Sequence, residues 1–237
     1  MFTKSIRSKT SNLLTEIPID VGGGCSVTKA TMMAYLIRRF NMQTSLDIGV
    51  YRGRSLMPQA LAHKEWTGGV LYGVDPWSGE QAKENDNKQL KDVIDRFVAE
   101  TDFEAIYQDV DRLRKARGFE RNCQLIRKTS AEAASYFKQQ GITFDLIHID
   151  GNHDTAPVLK DVELYLPLLK PDGFIVMDDV SWDSVKPAYG QVAGRLTRMF
   201  ERVDAMNDFA VFWNTQSSVD SMKCRWLKFL LRAMGKK

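Results

Sequence analysis

The sequence predicts an α/β fold: a doubly wound, mostly parallel sheet with helices on both faces. Two observations carry that expectation. Five short, nearly continuous apolar runs recur along the chain, as expected for parallel strands covered on both sides. Stretches with helical periodicity alternate with them, the strand–helix–strand repetition of doubly wound sheets.

The elements follow in chain order. Residues 26–41 form an expected N-terminal helix, with Met32, Met33, Tyr35, Leu36 and Phe40 at helical spacing. The first strand is Thr44–Gly49, the second Val70–Asp75, the third Cys123–Arg127, the fourth Phe144–Asp150 and the fifth Gly173–Asp179. Helical patterns occupy about 54–65, 130–140 and 155–169. Residues 79–121 are a long, charged insert whose apolar positions (Val93, Phe97, Phe103, Ile106, Val110, Leu113) suggest one or two amphipathic helices. A connection of that length serves as a lid or acceptor surface, or as extra packing helices. Phe200–Met206 and Phe209–Asn214 are expected to pair as a hairpin turning at Asn207-Asp208.

Length and charge bound the rest. The 237 residues suit one domain, 1–221, with an appended basic helix at 222–237. That tail carries Lys223, Arg225, Lys228, Arg232, Lys236 and Lys237 and no acid, so it is +6 and the remainder of the +3 chain nets −3. A mildly acidic body argues against nucleic acid as a partner. Met222, Trp226, Phe229, Leu230, Ala233 and Met234 fall mostly on one face of the tail. That pattern fits peripheral contact with an anionic membrane, docking on the body, or an oligomer contact. No run approaches the roughly 18 apolar residues of a membrane span, and the N-terminus has no apolar signal segment. Three widely spaced cysteines (Cys25, Cys123, Cys224) match neither a zinc pattern nor a disulfide framework, which favours a reducing, cytoplasmic setting.

Ligands of open α/β sheets bind at the carboxyl ends of the strands. The first strand ends in Asp47-Ile-Gly49-Val-Tyr51-Arg-Gly53-Arg-Ser55. Its glycines allow a tight turn and close backbone approach, and a carboxylate there suits a cationic amino group better than a pyrophosphate. The second strand ends in Asp75, placed to accept both hydroxyls of a ribose. Trp77 follows, as an adenine stack or a packing anchor. After the third strand, Ser130 is the expected N-cap of the next helix, at the adenine edge. The fourth strand ends in Asp150-Gly-Asn-His153-Asp154 and the fifth in Asp178-Asp179. Three carboxylates meeting at one mouth repel unless protonated or bound to a cation. Oxygen donors favour a hard ion such as Mg²⁺ or Ca²⁺, with Mg²⁺ or Mn²⁺ expected at an octahedral site that keeps waters. His153, beside that ion, is the candidate general base. His148 is expected to be a satisfied core histidine, and His63 to lie on a helix surface. Trp182, just past Asp178-Asp179, is a candidate stacking surface or a hydrophobic lid contact.

Together Asp47–Ser55, Asp75, Ser130 and the block FDLIHIDGNHDTAPVLKDVELYLPLLKPDGFIVMDDV resemble class I S-adenosylmethionine-dependent methyltransferases. The block looks most like the metal-dependent O-methyltransferases of the macrocin type, with the cephalosporin hydroxylase-type subgroup, and more distantly the catechol type. The resemblance covers roughly residues 40–215. It implies a Rossmann-like, seven-stranded sheet of order 3-2-1-4-5-7-6. It also implies cofactor contacts at Asp47, Gly49, Tyr51, Gly53, Ser55, Asp75, Trp77, Ser130 and Asp150. A divalent metal, magnesium by expectation, would lie on Asp150, Asp178 and Asp179, with His153 and Asp150 in catalysis. The catechol type has asparagine where this chain has Asp179, and no counterpart of its lysine base can be placed. The implied substrate is a hydroxyl of a sugar or glycoconjugate, or alternatively of a catechol-like small molecule, and the implied assembly is a homo-oligomer.

Three other readings compete. A nucleotide-dependent oxidoreductase would carry G-x-G-x-x-G after the first strand, and this chain has G-x-x-x-G. A metal-dependent hydrolase leaves Asp47 and Asp75 without a task. A non-enzymatic cofactor-binding scaffold leaves the Asp/His set without one.

Overall fold

The computed structural model describes residues 2–20, 24–86, 88–204, 207–218 and 221–236. Seven strands form one sheet of order β3-β2-β1-β4-β5-β7-β6: β1 (Thr44–Ile48), β2 (Val70–Val74), β3 (Cys123–Ile126), β4 (Phe144–Ile149), β5 (Leu169–Asp178), β6 (Thr197–Asp204) and β7 (Asn207–Trp213). The first five run parallel, and β7 lies antiparallel to both β5 and β6. The expected strand order and fold class are those observed. Asp204 pairs with Asn207, so Asn207 and Asp208 sit inside the ladder and not at the hairpin turn. Met206 lies outside the described residues.

Each strand places alternate residues on opposite faces. Leu146, Phe174 and Val176 join the core under α1 (Phe2–Leu14), α2 (Val27–Arg39), α3 (Leu56–Ala62) and α9 (Met222–Gly235). Ile147, Ile149, Ile175 and Met177 join the core under α6 (Ser130–Gln139), α7 (Thr155–Tyr165) and α8 (Lys186–Ala193). The sheet is therefore covered on both sides, which is why its central strands read as unbroken apolar runs. Helix α1 has no counterpart among the sequence expectations, because its stretch is mostly polar. It buries Ile6, Leu13 and Leu14 against α2 all the same.

Caps set the helix starts. Ser26 accepts the Lys29 N–H at 3.0 Å to open α2. Thr129, one residue before the expected cap, closes a reciprocal capping box with Glu132 at the start of α6; Ser130 is the first helical residue. The insert holds two amphipathic helices, α4 (Lys91–Glu100) and α5 (Phe103–Ala116). Ile106 and Val110 of α5 are buried, whereas α4 buries no residue and Val93 is exposed. Among the described residues all three cysteines are free and buried, and no helix is long and apolar enough to cross a membrane.

Candidate active site

A cavity of about 630 Å³ opens at the carboxyl ends of β1, β2, β4 and β5. The sheet order places it where the connections leaving β1 and β4 diverge, which leaves a crevice in a doubly wound sheet. Phe97 and Phe103 of the insert close one side. The insert is thus part of the cavity wall.

The first two strand ends build one wall. Gly49 has φ +84°, and a Cβ there would fall 1.8 Å from the Asp150 carbonyl oxygen, so glycine is required for β1 and β4 to end side by side. Asp75 accepts the backbone N–H of Tyr51 at 2.9 Å and of Trp77 at 2.6 Å. Burial raises its carboxyl above the usual range, against those two hydrogen bonds. Its remaining lone pairs are available to a diol. Tyr51 lines the cavity and donates its hydroxyl to Asp20 at 2.8 Å. Tyr51, Trp77 and Asp179 all hold positive φ (47°, 44° and 51°), left-handed geometry that gathers at functional loops.

Several expected contacts move. Asp47 is fully buried and outside the cavity lining. One of its oxygens accepts from Ser55 Oγ at 2.7 Å and the other is 2.6 Å from His148 Nδ1, so it orients neighbours from behind the wall. Gly53 lies outside the lining as well. Trp77 is 2% exposed, donates its indole N–H to the Tyr51 carbonyl at 2.9 Å and packs edge-on against Tyr107. It is the packing anchor and offers no face to an adenine. Ser55 and Ser130 do line the cavity. Ser130 donates its hydroxyl to Asp161, a carboxyl that burial pushes up to about 6. His63 is not on a helix surface: it is fully buried between Ser45 and Thr67, 2.9 Å from each hydroxyl.

Asp150, Asp178 and Asp179 all line the cavity, as expected. Their oxygens do not form one three-carboxylate set. Two groups share Asp150, one with His148 and Asp178, the other with His153 and Asp179, and each brings its ligand atoms within 4.8 Å of one another. The reason is Lys29 of α2, a side chain only 3% exposed. Its ammonium reaches Asp150 at 3.3 Å and also binds Asp178 directly. Burial pushes Asp178 well above the carboxylate range, with Asp150 adding to the effect, while Lys29 holds Asp150 low despite its own burial. The two carboxyls share one ammonium, and their mutual repulsion works with burial to drive the two pKa values apart.

His148 is only half satisfied. Its Nδ1 meets Asp47, and its buried Nε2 has no hydrogen bond and lies 3.8 Å from Asp150. His153 is held from the insert: Glu84 accepts its backbone N–H at 3.0 Å and lies 2.7 Å from its Nδ1. Its Nε2 lies 2.8 Å from Asp179 and 3.6 Å from Asp150, without hydrogen-bond alignment. Burial disfavours the imidazolium, but Asp150, Asp179 and Glu84 outweigh it and raise the His153 pKa well above its ordinary value. An imidazole so charged cannot accept a proton. A cation on Asp150 and Asp179 removes that obstacle, and carboxylate oxygens are the donors that suit Mg²⁺ or Mn²⁺. The residues present fit a divalent metal. Trp182 lines the cavity with its ring 5.1 Å from that of His153.

Sequence reasoning missed Lys29, Glu84 and Asp161. A lysine among the apolar positions of α2 is the one visible signal, since a buried charge requires a partner. Glu84 sits in an irregular stretch of the insert, where no periodicity marks it.

A methyltransferase-domain family model matches residues 46–180. No curated protein matches the sequence. Similar solved structures include an O-methyltransferase from Bacillus cereus in complex with SAH, at 13% identity and TM-score 0.59, covering 88% of this chain and 90% of that one. TomG, an O-methyltransferase from Streptomyces achromogenes involved in tomaymycin synthesis and solved with SAM, shows 15% identity and TM-score 0.60, with 89% of each chain covered. CalS11, a calicheamicin methyltransferase, shows 16% identity and TM-score 0.58, covering 89% of this chain and 91% of that one. At these identities the likeness is one of fold.

Proposed function

The chain belongs to the methyltransferase-domain family, and from that premise we propose that it transfers a methyl group from S-adenosylmethionine to a hydroxyl oxygen with the help of a divalent cation. The observation that carries this reading is the meeting of Asp150, His153 and Asp179 in the wall of the cavity that Asp75 and Ser130 also line. SAM-bound TomG and SAH-bound Bacillus cereus O-methyltransferase share the fold, which supports the choice of donor.

The cofactor's ribose would lie against Asp75, with its adenine towards Ser130 and Asp161. Asp150 and Asp179 would hold the cation, magnesium in the first instance. Bound there, it would lower the acceptor hydroxyl's pKa and fix its orientation. Asp178 stays on Lys29, outside the group of Asp150, His153 and Asp179, which leaves Asp150 and Asp179 to hold a doubly charged ion. Glu84 holds the His153 ring through Nδ1, so that Nε2 faces the cavity and takes the hydroxyl proton. Bound S-adenosylmethionine would supply the methyl group to that oxygen, its methyl–sulfur bond breaking as the oxygen–methyl bond forms and the electron pair staying on sulfur. Positioning and charge placement supply most of the rate. Phe97, Phe103 and Trp182 are apolar walls suited to a ring-bearing acceptor, so a sugar or glycoconjugate hydroxyl is the first class to screen and a catechol the second.

Calorimetric titration with S-adenosylmethionine and its demethylated product, with and without Mg²⁺, tests the reading. Micromolar binding of either is expected. Absence of binding in all four titrations refutes methyl transfer and returns the aspartates to a hydrolytic or structural metal site.

A further inference from the structure

Helix α9 has two apolar stripes. Cys224, Leu227, Leu231 and Met234 are buried against the body. At the helix end Gly235 lies so close to Phe200 of β6 that a Cβ would come within 2.7 Å of the ring. The docked stripe fixes the helix's rotation and so fixes what faces outwards. Met222, Trp226 and Phe229, spaced i, i+4 and i+7, form the second stripe and are 81%, 48% and 67% exposed. Docking on the body and an outward apolar face were alternatives in the sequence; in the structure both hold.

The three helices on that side carry charge of one sign, although Lys223 faces Asp172 of β5 at 3.9 Å and Lys9 pairs with Glu65. Helices α1, α2 and α9 cover the same side of the sheet, with α2 packed against both α1 and α9. Within their bounds they carry Lys4, Arg7 and Lys9; Lys29, Arg38 and Arg39; and Lys223, Arg225, Lys228 and Arg232, and not one acid. Of these Lys29 alone is buried in the cavity cluster. Arg225, Lys228 and Arg232 have no acidic partner among the described residues. Arg39 lies over the Trp226 ring at 5.4 Å, which joins the α2 cations to the stripe.

We propose that this face, with Met222, Trp226 and Phe229 of α9 at its centre, docks on an anionic phospholipid surface. Exposed apolar side chains gain by entering the acyl boundary, tryptophan favours the headgroup level, and flanking lysines and arginines meet lipid phosphates. A second copy of the chain would set cations against cations across the contact. A purely electrostatic partner would leave Met222 and Phe229 in water. The arrangement is independent of the chemistry in the cavity. Arg202 of β6, two residues before the cavity-lining Asp204, donates to the Gly235 carbonyl, so the docked helix ends beside the cavity rim.

Vesicle flotation of the full chain tests the proposal, using phosphatidylcholine vesicles and vesicles of phosphatidylcholine mixed with phosphatidylglycerol. The protein is expected to float with the mixed vesicles at low salt, to be released at high salt, and to stay behind with phosphatidylcholine alone. Arg225→Gln with Lys228→Gln is expected to weaken association about fivefold per cation removed. The triple variant Met222→Ser, Trp226→Ser, Phe229→Ser is expected to abolish it, with thermal unfolding and S-adenosylmethionine binding unchanged. Equal binding to both vesicle types, or flotation unaffected by the triple variant, overturns the proposal. So does concentration-dependent self-association that the triple variant removes, which would assign the face to a second copy.

Discussion

Glu84 of the insert grips His153 at two points, accepting its backbone N–H at 3.0 Å and meeting its Nδ1 at 2.7 Å, across 69 residues of sequence. The same two segments are joined again nearby, where the Asn85 and Asp86 amides donate to the Asp154 carboxylate and Asp86 accepts the Thr155 N–H at 2.7 Å. The insert therefore determines where the imidazole of the neighbouring loop points.

Glu84→Gln should lower the His153 pKa, because a carboxylate that favours the imidazolium is removed. The chain has three histidines, so the shift is measurable by NMR titration of the imidazole resonances. Turnover should fall by about 10²-fold with little change in cofactor affinity, the range for a misplaced general base.

Asp179→Asn and His153→Ala separate ligand from base. Loss of Asp179 should abolish metal binding in calorimetry while S-adenosylmethionine still binds. His153→Ala should keep the metal and lose turnover. If His153→Ala also loses the metal, the imidazole is a ligand and the proton goes elsewhere.

Lys29→Met should destabilise the fold by about 3 kcal/mol, the cost of leaving buried carboxylates without their cation. Asp178→Asn in the same chain should recover a large part of that loss, giving a positive coupling in a double-mutant cycle followed by urea unfolding. Additivity of the two changes would remove Lys29 from the site's charge balance.

His63 makes stability acid-sensitive. Burial pushes its pKa down to about 4 from an ordinary 6.5. Its neutral form is the one the fold prefers, so the stabilisation is complete above pH 6.5 and is lost as the pH falls towards 4. The loss amounts to about 3 kcal/mol at pH 4. His63→Gln should flatten the urea midpoint against pH over that window.

The sequence by itself determined the sheet and the location of the site. Apolar runs such as Phe144–Ile149 are local patterns, and they name the strands because a strand buried on both faces must be apolar throughout. Asp75, Asp150, Asp178 and Asp179 follow directly at strand ends, so their arrival at one cavity follows from the fold class. What only the tertiary structure decided is how those charges are shared. Lys29 comes from a helix before β1 and Glu84 from an insert after β2, and no spacing rule links Lys29 to aspartates 121 and 149 residues on, or Glu84 to a histidine 69 residues on. Trp77 turned inwards because the Tyr51 carbonyl offered its indole N–H a partner. Asp47 withdrew behind the wall because His148 stands beside it in the parallel register. Electrostatic pairing in a buried cluster depends on through-space distance, and only the folded chain sets that distance.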